Sequence, residues 1–197
     1  MNHKLLLLVL FLSLIYIPAF FAQQHYTCTL LNDSLSSSNV YDFDIYMLSN
    51  DTSTIELAGI NFGFTYNQLI LNNGTMTITW VPQSSELTNQ SELPRNFIAA
   101  TGRKDSSIVG IIKIGPRIPP GFGNGSIISN KGRGIKIGRL RLTNSVNFAD
   151  ARMNINWNFL KTGGLYPTTI TVYIDKKNTN VTSAGVFDSK LRNPILK

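Results

Sequence analysis

The chain has little of what enzymes and metal centres are built from. Its 197 residues include two histidines, His3 and His25, and a single cysteine, Cys28. One thiol cannot form an internal disulfide, so the fold does not depend on a covalent crosslink, and we expect Cys28 to be a packed or an idle residue near the start of the first strand. Two histidines near the start of the chain do not supply a buried triad or a clustered zinc site. We therefore expect no catalytic residues, no metal site and no cofactor.

Charged residues are also scarce. They make up 15% of the chain, against about 25% in ordinary soluble proteins. Asn, Ser, Thr and Gly take their place, a mixture that favours strands and turns over helices. Apolar residues make up 43% of the chain, which is enough to form a buried core.

A long apolar run occurs once, at the start. Lys4 is followed by an apolar run from Leu5 to Ile17, then Pro18, with the small residue Ala22 at its end. This order predicts a cleavable signal peptide over residues 1–22, and therefore a secreted, extracellular or cell-surface protein. The alternative is a retained anchor, but 18 residues interrupted by proline are at the lower limit for a span. No membrane span is expected after cleavage.

The remainder alternates apolar and polar residues. In the segment Val40 to Leu48, one face is predicted to be buried and consists of Tyr41, Phe43, Ile45 and Met47. This period of two is typical of a half-buried strand. The same pattern predicts strands within 56–71, 76–82, 96–101, 108–114, 135–142, 153–159 and 168–174. The spacing of these strands, with almost no helix between them, predicts a sandwich or a barrel.

Two glycine- or polar-rich stretches are predicted as loops. Residues 83–95 are polar. We expect Glu86 and Glu92, which lie in this loop, to serve only the solubility of the protein. The stretch Gly115 to Gly125 is too rich in proline and glycine for regular structure. It is not a phosphate loop, because no helix follows it. Near Gly138 the strand register changes, which predicts a bulge.

Two carboxylates share one strand face. Asp42 and Asp44 are two residues apart, a spacing that could serve calcium binding or glycoside hydrolysis. No Asp-rich loop supplies the further oxygens that calcium needs, so we expect a solvated outer face instead. The basic residues are scattered, with a local concentration at Lys131, Arg133, Lys136, Arg139 and Arg141. Because few aromatics are interleaved with them, nucleic acid is not expected as a partner.

Aromatic and amide side chains that could be exposed are the candidates for ligand contact. Sugars are bound on exposed rings, with amides supplying hydrogen bonds. The candidates are Asn154, Asn156, Asn158, Tyr46, Tyr173 and Phe122. The alternative is that the tyrosines cap sheet edges and the asparagines are only solvated. Six Asn-X-Ser/Thr sequons are also present, which would matter in a host that glycosylates by that code. They begin at Asn32, Asn50, Asn73, Asn89, Asn124 and Asn180.

The order of segments resembles the cohesin-like domain, a relative of some carbohydrate-binding modules. The resemblance rests on ELAGINFGFTYNQLIL (residues 56–71) and on GIKIGRLRLTN (residues 134–144), followed by MNINWNF (residues 153–159). The whole segment from about residue 26 to 187 is also similar to a domain found near the start of secreted, surface-associated bacterial proteins, and the run IPPGFGNGSIIS (residues 118–129) supports this closer match. The resemblance implies a jelly-roll or immunoglobulin-like β-sandwich of about nine strands with a non-catalytic binding role. It carries over no functional residue.

The sequence thus predicts three parts and two competing functions, with a small hydrolase as a distant third. Residues 1–22 are the signal peptide, 23–187 the cohesin-like domain and 188–197 a polar tail. The first hypothesis is an adhesion module that docks on a protein partner at the cell surface. The second is a carbohydrate-binding module that recognises a polysaccharide. A strip of exposed aromatics on one sheet would favour the second, and a flat, mixed-apolar face would favour the first. The oligomeric state is left open.

Overall fold

The computed structural model describes residues 26–101, 109–159 and 167–195, which form two β-sheets packed face to face. The predicted all-β sandwich is therefore confirmed. The predicted signal peptide, residues 1–22, lies outside the described residues.

Five strands form the first sheet, in the order β12-β1-β2-β8-β4. They are β1 (Tyr26–Ser37), β2 (Val40–Ser49), β4 (Met76–Trp80), β8 (Ile135–Asn144) and β12 (Gly185–Ser189). All its pairings are antiparallel except that of β12 with β1.

Seven strands form the second sheet, in the order β11-β10-β3-β6-β5, with β7 and β9 also paired to β3. They are β3 (Ile55–Asn67), β5 (Asn96–Thr101), β6 (Val109–Gly115), β7 (Ile127–Ile128), β9 (Asn156–Trp157), β10 (Thr169–Ile174) and β11 (Lys177–Asn180). Because β3 pairs with four other strands, its outer face lies at the middle of this sheet.

Period-two alternation places the core between the sheets. Phe43 of β2 and Phe64 of β3 are fully buried, and their rings meet edge to face across the sandwich with centroids 5.7 Å apart. Phe62 and Ile155 are equally buried, while Trp157 packs against both phenylalanines of β3 from a half-buried position. Burying a side chain of this size contributes roughly 2 kcal/mol, so the alternation accounts for how the two sheets stay together.

The predicted bulge lies where β8 meets β2. The register of the pair shifts between Ile45 and Tyr46, opposite Gly138. A side chain at Gly138 would lie 2.9 Å from the Trp80 ring, so only glycine lets Trp80 pack down on this strand. Of the two alternatives for Cys28, the packed one is right: Cys28 is buried in the core, and its burial raises the pKa of the thiol.

The described residues contain twelve strands, not about nine. The additional strands include β7, β11 and β12, which are short and carry mostly exposed or half-buried side chains, so they give little period-two signal. Conversely, the predicted strand 153–159 has ladder pairing only at Asn156–Trp157. The predicted domain end at residue 187 falls inside β12, and the backbone of the following residues still bonds the sandwich, as Lys190 does to Leu30.

Candidate functional site

The outer face of the first sheet is a ladder of ion pairs. We call it the charged face, and it consists of Asp42, Asp44, Lys136, Arg139 and Arg141. Cross-strand register places Asp42 opposite Arg141 and Asp44 opposite Arg139. The guanidinium of Arg141 donates two hydrogen bonds of 2.9 Å to the two carboxylate oxygens of Asp42. This bidentate geometry is the strongest form of such a pair.

Asp44 is the second centre of the charged face. Its Oδ1 lies 2.9 Å from both Lys136 Nζ and Arg139 Nη1, and its Oδ2 accepts a 2.9 Å bond from Asn32 Nδ2. Burial alone would raise the pKa of the Asp44 carboxyl, but these hydrogen bonds outweigh it and hold the pKa below its usual range. The same balance, with bonds from Arg141 and Ser36, lowers the pKa of Asp42.

The expectation of a solvated outer face for these two aspartates is therefore wrong. Asp42 is 2% exposed and Asp44 3%. The physical reason is that β2 lies in the middle of the sheet, where long side chains from β8 fold over both carboxylates. Most of the basic residues that are concentrated in the sequence, namely Lys136, Arg139 and Arg141, form ion pairs with the two aspartates of β2. They are not a free patch for an acidic partner.

Three glutamates accept hydrogen bonds that hold loops in place. For Glu86 and Glu92 the sequence predicts instead that they only keep the protein soluble. Glu86 accepts a bond from the backbone N–H of Lys136, and buried Glu92 accepts one from Ser126. Glu56 accepts from the backbone of Gly123 and Gly125 in the loop before β7. Desolvation by burial raises the pKa of the Glu92 carboxyl. These carboxylates accept hydrogen bonds from backbone amides of the loop before β7 and of β8.

Asp33 holds the backbone of the segment after β12 in the same way. Its carboxylate accepts bonds from the backbone N–H of Arg192 and Asn193 and from the hydroxyl of Tyr41. The segment predicted as a polar tail is thus attached to β1. No sequence signal distinguishes Asp33 from an ordinary turn aspartate, because its partners lie about 160 residues away.

The predicted aromatic contacts do not form one surface. Tyr46 is on the outer face of β2, as expected, but it is 4% exposed because Arg133 covers its ring at 4.7 Å. On the other sheet, Tyr173 is also buried, and its hydroxyl accepts a bond from the Gly121 backbone. Phe122 packs edge-on against Tyr173 and remains half exposed. The expected exposure is therefore wrong for both tyrosines and right for Phe122.

The predicted row of asparagines is broken at its third member. Asn154 and Asn156 are exposed, but Asn158 is buried. Past β9 the chain turns inward, so that the backbone of Asn158 donates to Gly63 and accepts from Thr168. Asn158 is therefore structural and does not face outward with the other two.

Asn154 and Asn156 instead join residues from two other strands. We call this surface the docking face, and it consists of Thr65, Asn67, Leu69, Val109, Asn154 and Asn156, which line a shallow cavity of about 280 Å³. Register aligns Thr65 with Asn156 and Asn67 with Val109, so three strands contribute. Leu69 is 60% exposed and Val109 37%. The docking face is uncharged and mixed-apolar, which the sequence pattern alone did not indicate.

Within the described residues, the large aromatic side chains with high exposure are Phe122 and Phe159. They belong to different segments, and Phe159 packs against Phe187 with ring centroids 4.7 Å apart. The described ranges therefore contain no aromatic strip along a sheet. Nor does this part of the chain bring together three His, Cys, Asp or Glu side chains that could hold a metal ion. No helix in it is long and apolar enough to cross a membrane.

Comparison with known proteins gives structural likenesses only. No protein-family model matches the sequence, and curated proteins give no match. The fold is similar to the second type II cohesin module from the cellulosomal adaptor ScaA scaffoldin of Acetivibrio cellulolyticus, with a TM-score of 0.42 and 7% identity over 85% of this chain and 94% of that one. It is also similar to endoglucanase CelQ from Clostridium thermocellum, complexed with cellotetraose, with a TM-score of 0.38 and 6% identity over 84% of this chain and 27% of that one.

Proposed function

We propose that this domain is a non-catalytic module that docks on a partner protein through the docking face. The observation that carries the proposal is the uncharged, mixed-apolar character of this surface at the middle of the second sheet. The cores of protein interfaces are depleted of charge, because a buried unpaired charge costs more than it contributes. The charged face is unsuitable for the same role, since its carboxylates are already saturated by its own cations.

The amide side chains of the docking face are held in place by hydrogen bonds. Asn156 Nδ2 donates to the backbone of Asn154, and Asn67 donates to Arg152, so both amides are held in place. Val109 and Leu69 add exposed apolar area beside them. The docking face thus combines fixed amides with exposed apolar area.

Replacement of Val109 by aspartate tests the proposal. V109D places a charge at the centre of the docking face, and we expect it to weaken partner binding at least tenfold. Val186 of β12, which is 56% exposed on the first sheet, provides the matched control V186D. The measurement is quantitative pull-down from the cell envelope of the source organism, with thermal unfolding to show that both variants fold.

A protein retained by the wild type and by V186D, but lost with V109D, would support the docking face. Equal retention by all three proteins would reject it. The second function, recognition of a polysaccharide through Phe122, Asn154 and Asn156, predicts instead that Phe122→Ala abolishes binding on a glycan array. Phe122 favours this alternative only as a single ring, since its neighbour Tyr173 is buried beneath it.

We also propose that the domain acts outside the cell, at the cell surface or in the medium. The support is the leader over residues 1–22, which has the order of a secretory signal. Sequencing the N-terminus of the exported protein tests this, and we expect the mature chain to begin at Gln23. An intact Met1 on membrane-associated protein would indicate a retained anchor.

A further inference from the structure

The first and the last strands of the described chain lie side by side in the first sheet. β1 and β12 pair in parallel, from Tyr26 opposite Gly185 to Leu30 opposite Ser189. On its other side β1 pairs with β2 along most of its length, so β1 is held between two neighbours. We call β1 and β12 the terminal pair, because the chain enters the described sandwich at the start of β1 and continues beyond the end of β12.

Parallel pairing places the entry and the exit of the chain at opposite ends of the terminal pair. The chain enters at Tyr26, and it leaves past Ser189, which lies further along the same strand direction. Tension between the two ends therefore acts along the strands. Since the ladder hydrogen bonds connect one strand to the other, this tension loads all of them at once. In an antiparallel terminal pair both ends would lie at the same edge, and the bonds would break one after another.

Beyond β12 the chain continues beside β1 and is held there by Asp33. The Asp33 carboxylate, which is 2% exposed, accepts hydrogen bonds of 2.9 Å from the backbone N–H groups of Arg192 and Asn193. The Arg192 guanidinium donates to the backbone oxygen of Asp33, and the Lys190 N–H donates to Leu30. We call Asp33, Arg192 and Asn193 the Asp33 lock. It extends the part of β1 that is bonded to the end of the chain from Leu30 to Asp33.

Side chains also oppose movement of β12 along β1. The Phe187 ring packs edge to face against the rings of Tyr26 and Trp157, with centroids 5.9 and 5.2 Å apart. Trp157 Nε1 donates a 2.9 Å hydrogen bond to the backbone oxygen of Asp188. A Cβ at Gly185 would overlap the Tyr26 ring, so the backbone of β12 is in close contact with it. β12 therefore cannot slide unless Phe187 leaves its aromatic neighbours.

We propose that this sandwich is a load-bearing module, which resists tension applied between the two ends of its chain. The terminal pair carries the tension in shear, and the Asp33 lock lengthens the sheared region. The resistance is kinetic, because forced unfolding is governed by the unfolding rate, here the rate at which the bonds of the terminal pair break together. This function is separate from the docking face, and V109D should leave the unfolding force unchanged.

Stretching one protein in two directions with optical tweezers tests the proposal. The protein is the mature chain with Ser38→Cys, an exposed position just past the end of β1. In the first direction DNA handles pull on the two ends of the chain. In the second the N-terminal handle is moved to residue 38, so that β12 is peeled from β1. Cys28 is buried and does not compete for the handle.

We expect the first direction to need at least twice the unfolding force of the second at the same pulling rate. The folded protein and its hydrogen bonds are the same in both measurements, so only the direction of loading differs. Equal forces, or a lower force in the first direction, would overturn the proposal.

A pair of variants that each lose one carboxylate isolates the Asp33 lock. Asp33→Ala is expected to lower the unfolding force in the first direction about 1.5-fold. Asp188→Ala removes a half-exposed carboxylate of β12, whose ion pair with Lys190 is long at 3.8 Å, and is expected to leave the force unchanged. Equal losses in both variants would reject the lock.

Moving the C-terminal handle separates the lock from general destabilisation. With this handle at Ser189→Cys, an exposed residue at the end of β12, the tension no longer passes through Arg192 and Asn193. Asp33→Ala should then unfold at the same force as the protein that retains Asp33. A loss of force that persists with this handle would show that Asp33 only stabilises the fold, and it would overturn the lock as a load-bearing element.

Discussion

The two outer faces of the sandwich differ in whether their side chains are paired with one another. Each is the exterior of a sheet whose inner face is buried, yet the first carries a closed network of charges, whereas the docking face on the second is lined by uncharged side chains. On the first sheet, Asp42 and Asp44 are covered by side chains from β8. On the second, Thr65 and Val109 both keep part of their surface exposed, and no long side chain of the described ranges is seen to pair with them.

This difference shows why the density of charge in a sequence does not locate a binding surface. The basic residues of β8 are concentrated along the chain, but their charge is used within the sheet. The docking face has no comparable sequence signature. Its side chains can contact a partner because they are not covered by ion pairs within the described residues. Stability and binding are thus expected to depend on different faces, and this separation can be tested.

The largest effect is expected from removing Asp44. Asp44→Ala leaves Lys136 and Arg139 together without their shared carboxylate, and it removes the partner of Asn32. Both cations are less than a quarter exposed, so we expect a loss of about 3 kcal/mol in the free energy of unfolding. Urea denaturation at pH 7 measures it.

The control comes from the opposite face. Asn156→Ala truncates an exposed side chain of the docking face, and substitutions of this kind are usually within about 0.5 kcal/mol. If the two variants were equally stable, the charged face would not be a stabilising network and the contrast between the faces would fail.

A smaller effect is expected from pH, and its sign differs between groups. The lowered pKa values of Asp42 and Asp44 add stability that is present above about pH 4 and is lost as the pH falls through their folded values. The raised pKa of Glu92 acts in the opposite direction, because its stabilisation is present below about pH 4 and is lost as the pH rises through its folded value. Stability should therefore rise slightly from pH 7 to pH 5 and fall at pH 3.

Glu92→Gln separates the two contributions, since it removes the titrating group that lies beside Ser126 and Glu56. Urea denaturation of this variant should show no rise between pH 7 and pH 5, while the fall at pH 3 persists. A rise of the same size in the variant would assign it to another group. A wild-type stability that does not change between pH 5 and pH 3 would mean that the charged face does not contribute through ionisation.

Much of the fold could be predicted because one local rule accounts for it. The alternation in β2, β3 and β8 places apolar side chains on one face, and these strands lie close to their predicted positions. Strands β11 and β12 could not be predicted, because backbone hydrogen bonds to a neighbouring strand hold them and their side chains carry no pattern.

The candidate sites were predicted less well. Asn154, Asn156 and Phe122 are exposed as expected, whereas Tyr46, Tyr173 and Asn158 are buried by partners distant in sequence.

The sequence by itself determined that the chain is all-β and which side chains face the core, because the pleat of a strand enforces a period of two wherever the strand lies. The tertiary structure decided everything that depends on which strands are neighbours. The pairing of β2 with β8 made buried ion pairs from two aspartates and two arginines, and the convergence of β3, β6 and β9 made the docking face. Cross-strand contacts join residues tens to more than a hundred positions apart, so local pattern carries no information about them.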